Sequence, residues 1–240
     1  MKPGTFLIAL LLLIAITAVW PSPCRAESLD ASIIKESLSE TICPTNIEVM
    51  IRGSEHQNSP NYDPQVEPQR HFKESSLARS YKYMRNEQTR VLDFAASADS
   101  DPEMRTRALF HFGMLLHTTN CFYLNTDYLP KKIDNLEDIS GAAFDPYSIA
   151  LFDWRILADK NRACDLQVES NSVKQEAILN RVVQDTTIKK VARGLAIREA
   201  RRQWDYLGSL IQNRYHDKAA TILAALKSAS CENLIPKDIQ

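Results

Sequence analysis

Apolar side chains in this chain return at steps of three and four residues, and no stretch alternates apolar and polar long enough to make a half-buried strand. That spacing lines the apolar positions of each segment along one side of a helix, so the chain is predicted to be all-α, a single-domain multi-helix bundle. The scarcity of glycine, 6 in 240 residues, agrees with a chain that rarely needs left-handed backbone. Helices are expected near 30–40, 45–54, 74–97, 102–124, 146–159, 172–183, 187–215 and 217–229. Thr45-Asn46-Ile47-Glu48 has the form of a capping box, and Asp101-Pro102 and Asp145-Pro146 each set a cap ahead of a proline. Between the second and third helices a long loop carries Pro60, Pro64 and Pro68 together with His56 and His71. The segment 130–144 reads as a second irregular stretch.

The start of the chain has a different character. Met1-Lys2, a predominantly apolar run from Phe6 to Val19, Pro21, Pro23 and the small residues Cys24 and Ala26 form the pattern of a secretory signal peptide, residues 1–26. The apolar run is too short to span a bilayer comfortably, so residues 27–240 are expected to be one helical domain, secreted or periplasmic, with no transmembrane anchor. Cys43, Cys121, Cys164 and Cys231 follow the cut, and in an oxidising compartment they are expected to form disulfides whose pairing spacing does not decide. A net charge of -1 with both signs interspersed carries no nucleic-acid signature. The basic residues of 187–215, among them Arg193, Arg198, Arg201 and Arg202, are interrupted by Glu199 and Asp205 and read as the solvated face of a packed helix.

Chemistry concentrates around 111–129. His117 and Cys121 are one helical turn apart and point the same way, as two ligands of one metal ion do. The stretch Leu116-His117-Thr118-Thr119-Asn120-Cys121-Phe122-Tyr123-Leu124-Asn125 resembles the central helix of the zinc-dependent phospholipase C superfamily, above all its Het-C-like branch. There, leucine-histidine-threonine is followed by aspartate-phenylalanine, an aromatic residue and histidine-serine-asparagine. Gly113 fits the glycine of that helix, and Ile47 to Ile51, Glu55-His56 and Arg70-His71-Phe72 are similar to the family's early helix, polar loop and histidine-phenylalanine pair. The resemblance covers residues 40–130.

In that family a zinc cluster activates water against a phosphodiester. The resemblance implies His71 and His117 as metal ligands. Cys121 stands where the motif has its aspartate and Asn125 where it has a second histidine, and the family's later ligands have no counterpart. The implied centre is therefore reduced to one zinc ion held by His71, His117 and Cys121, with Asp127, Glu55 or His56 as further donors, and with Glu55 or Asp63 as a base for the attacking water. The expected function is a secreted, non-catalytic interaction module with a degenerate metal site and an unidentified protein partner. The alternative is a phospholipase C-like, metal-dependent hydrolase of a phospholipid or another phosphodiester.

Overall fold

The computed structural model describes residues 28–228 apart from 63, 64, 66, 74–76, 141–143 and 159–171, so Cys164, Cys231, Asp63 and the signal peptide expected at 1–26 lie outside the described residues. The all-α expectation holds. In chain order the helices are α1 (Leu29–Leu38), α2 (Pro44–His56), α3 (Leu77–Ala95), α4 (Pro102–Asn125), α5 (Tyr128–Ser140), α6 (Ser172–Leu179), α7 (Ile188–Tyr215) and α8 (Ala219–Lys227). No helix among the described residues is long and apolar enough to cross a membrane.

The bundle is arranged around α4. From Phe112 to Asn120 every residue is buried, because α2, α3 and α7 cover this stretch from different directions, with His117 and Asn120 as its larger polar members. Asp101 starts the helix by accepting from Glu103 N at 2.8 Å and Met104 N at 3.3 Å, with Pro102 in the first turn. The crossing of α2 and α4 is exceptionally close. A Cβ at Gly53 would meet Phe110 O at 2.0 Å, and one at Gly113 would meet Met50 O at 1.9 Å, so only glycine lets the two backbones touch there.

Several expectations need correction. The helix at 44–56 starts one residue before the capping box, with Pro44 in its first turn and Cys43 at the cap position, where its side chain accepts nothing from the first turn. Asn46 instead turns inward, donating to Leu226 O at 2.8 Å and Ser228 O at 3.0 Å, and so clamps the end of α8 to the start of α2. The stretch 130–144 is not wholly irregular, since α5 runs through most of it. Pro130 falls in the first turn of α5, where a missing N–H costs nothing. The helix expected at 146–159 is replaced by two 3-10 turns, Pro146–Ser148 and Trp154–Ala158. The carbonyls between them are taken by side chains: Arg198 donates to Tyr147 O and Ile149 O, Arg202 to Phe152 O, and Tyr128 to Ala150 O. After α6 the chain forms a two-stranded hairpin, Val182–Val183 against Thr186–Thr187, which β-branched residues favour and which turns through Gln184 at φ 55.

Glu199 of α7 joins these layers. It is fully buried and accepts from Tyr123 Oη at 3.0 Å, Trp154 Nε1 at 2.8 Å, Gln203 Nε2 at 2.6 Å and Arg202 at 2.5 Å. The other arginines of α7 are likewise anchored, Arg193 to Glu36 and Arg201 to the carbonyls of Glu36 and Ser37. The basic face is thus a scaffold face.

Candidate metal centre

The long loop reaches α4 because Arg70 pins it. The guanidinium lies over the Tyr62 ring at 3.9 Å, donates to Gln57 Oε1 at 2.9 Å and Tyr83 Oη at 3.1 Å, and pairs with Glu67. The next two residues close the approach. His71 is buried, and Phe72 follows at φ 48 with no exposure, packed on Phe122 at 5.2 Å and Trp154 at 5.9 Å. A phenylalanine in left-handed backbone is strained, and here burial of the ring holds it.

The His71 and His117 rings lie 4.9 Å apart between centroids, nearly perpendicular. His117 Nε2 faces His71 Nδ1 at 3.0 Å and Cys121 Sγ at 3.4 Å. The outer nitrogens of both rings are already engaged. His117 donates from Nδ1 to Asp30 Oδ2 at 2.7 Å, and His71 donates from Nε2 to Tyr62 O at 3.1 Å. Those bonds fix both tautomers and leave two ring nitrogens and a sulfur converging, all within 4.8 Å of one another. Asn120 steadies Asp30 by donating to Oδ1 at 2.9 Å, and Asn125 holds the His71 carbonyl at 2.6 Å.

Electrostatics separate the two imidazoles. Burial, together with the charge on His117, pushes His71 down to about 4, so its ring stays neutral with a lone pair on Nδ1. Burial works the same way on His117 but is outweighed by the adjacent Cys121 sulfur and by Asp30, which hold it up to about 10. Burial opposes the Asp30 carboxylate in turn, yet the hydrogen bond from His117 and the positive charge on that ring keep its pKa below the ordinary value. Without an ion, a proton on His117 Nε2 lies among the three donors. An ion and that proton compete for the same place.

The donor set suits a metal. Zinc bonds of about 2.0–2.1 Å to nitrogen and about 2.3 Å to sulfur set ligand atoms roughly 3.3–3.6 Å apart, close to the separations around His117 Nε2. His71, His117 and Cys121 can hold one ion, and among the described residues no carboxylate joins the group to bridge a second. The remaining candidates lie apart. Asp127 pairs with Lys131 at 2.7 Å, the His56 ring packs on Tyr62 and Phe110, and Glu55 sits in the last turn of α2 without entering the cluster.

Cys43 and Cys121 are both free thiols, which corrects the expected bridges as far as the described residues go. The Cys121 sulfur turns to His117, and Cys43 donates to Ser228 O at 2.7 Å. Asp30 and Asn120 were not among the candidates. Asp30 reaches His117 across 87 residues, and its only visible signal is an acidic side chain in the first turn of the first helix. Comparison of the chain with known protein families, with curated proteins and with solved structures returns no match.

Proposed function

We propose that this protein is a metal-stapled helical interaction module that holds one zinc ion between His71 Nδ1, His117 Nε2 and Cys121 Sγ. The observation that carries the reading is that three potential donors converge, with the two imidazoles oriented by Asp30 and by the Tyr62 carbonyl. Two imidazoles and a thiolate are a donor set zinc favours, and a carboxylate behind a ligating histidine strengthens it. The lack of a bridging carboxylate among the described residues argues against a multi-zinc hydrolase. Secretion, inferred from the leader, is part of the proposal.

The test is metal content of protein purified without chelator, measured alongside Asp30→Asn and a His117→Ala/Cys121→Ser double variant. Near-stoichiometric zinc is expected in the parent and none in the double variant. Asp30→Asn should lower zinc affinity by about 10–100-fold in a chelator competition. Metal-free parent protein, or a double variant that keeps its zinc, would overturn the proposal.

The alternative, a phospholipase C-like phosphodiesterase, is favoured by one observation: among the described residues the cluster offers three donors, one fewer than the four zinc commonly takes, so a bound ion would have room for water or substrate. A zinc ion held there by His71, His117 and Cys121 would supply Lewis-acid polarisation of water or of a phosphoryl oxygen. Hydrolysis of bis(p-nitrophenyl) phosphate or phosphatidylcholine that disappears in His117→Ala would select it over the module.

A further inference from the structure

A cleft of about 260 Å³ opens beside α3, α7 and the turn at Trp154–Ala158, and it shares no residue with the metal donors. Met84, Leu115 and Trp154 give it an apolar lining, and the phenol of Tyr206 stands at its edge, 44% exposed. Its volume falls just below the roughly 300–1,000 Å³ of sites for drug-sized ligands, so it suits a compact one.

The charges around it do not cancel. Arg155 is matched by Asp153, which it grips through Nε at 2.9 Å and through its terminal nitrogen at 2.8 Å. Arg202 is matched by buried Glu199 at 2.5 Å. Arg85 has a neutral partner, the Gln88 amide oxygen at 2.5 Å, and no carboxylate within ion-pair distance among the described residues. One positive charge therefore stands over an apolar and aromatic hollow. A guanidinium presents paired N–H groups that fit the two oxygens of a carboxylate, whereas a phosphate monoester brings close to two negative charges to a site that has one to answer.

We propose that this cleft binds a small aromatic carboxylate, its ring against Met84, Leu115 and Trp154 and its charge on the Arg85 guanidinium. The pairing explains why an arginine without an acidic partner borders an aromatic-lined hollow, and it requires nothing of the metal centre.

Isothermal titration of the full chain with 1-naphthoate tests it, with neutral 1-naphthamide and the Arg85→Gln variant as controls. Arg85 is exposed, so its replacement leaves the core intact, and circular dichroism verifies this. Saturable one-site binding of 1-naphthoate is expected, weakened about tenfold or more both in the variant and for the amide, the size of one charge-assisted contact. Absence of saturable binding up to the solubility of the acid overturns the proposal, as does equal affinity for acid and amide or between parent and variant.

Discussion

His71 and His117 face each other with opposite preferences for a proton, which makes the centre sensitive to pH in a definite direction. His71 is held down to about 4 against an ordinary 6.5, so the unfolded chain binds its proton first. The stability this contributes is complete above pH 6.5 and is lost as pH falls through about 4. His117, held up to about 10, behaves in the opposite sense: its contribution is complete below pH 6.5 and fades as pH rises through about 10. Urea unfolding of chelator-treated protein should show stability falling from pH 7 to pH 4.5, and His71→Asn should flatten that slope. An unchanged slope would mean that other carboxylates, not this ring, set the acid limit. At this scale the sequence was partly legible. His117 and Cys121 announced themselves by their spacing, and His71 by its place in the long loop and by the expected resemblance. Asp30 was hidden, because nothing local ties a first-turn aspartate to an imidazole 87 residues away.

Among the elements, the contact of α2 with α4 sets the frame on which the donors hang. Met50 O and Phe110 O stand where side chains at Gly113 and Gly53 would have to go. Neither obstacle is the flexible end of a side chain, so Gly113→Ala must push the helices apart. It is expected to cost roughly 1–3 kcal/mol or more, in line with overpacked cores. Thermal unfolding of Gly113→Ala beside Gly208→Ala, whose added Cβ meets a methyl group at an ordinary 4.0 Å, provides the comparison. A Gly113→Ala protein as stable as the parent would show that the two helices slide without penalty. The long helices were readable because their apolar spacing persists over many turns and their starts carry caps, as at Asp101 and Pro102. The helix expected at 146–159 was a misreading because carbonyls of this segment are satisfied by Arg198, Arg202 and Tyr128, partners that come from distant parts of the chain. α5 was read as part of an irregular stretch, although Pro130 lies in the first helical turn, which tolerates it.

For the molecule as a whole, Glu199 is the joint between α4, α7 and the turn carrying Trp154. Replacing it by alanine takes the acceptor from the Tyr123 hydroxyl, the Trp154 N–H and the Gln203 amide, and leaves Arg202 with only the Phe152 carbonyl. We expect a loss of about 3–5 kcal/mol, the usual cost of removing one partner from a buried ionic group. Chemical denaturation with tryptophan emission as the signal measures it, and a loss under about 1 kcal/mol, the scale of an exposed ion pair, would demote Glu199 to an incidental contact. The clamp from Asn46 to Leu226 has a different bearing, on the order of events rather than on strength. It spans 180 residues, so α2 cannot be seated against α8 until almost the entire described chain has been synthesised. Closing so long a loop is slow. An emerging polypeptide would therefore stay unlatched and open to chaperones for most of its synthesis.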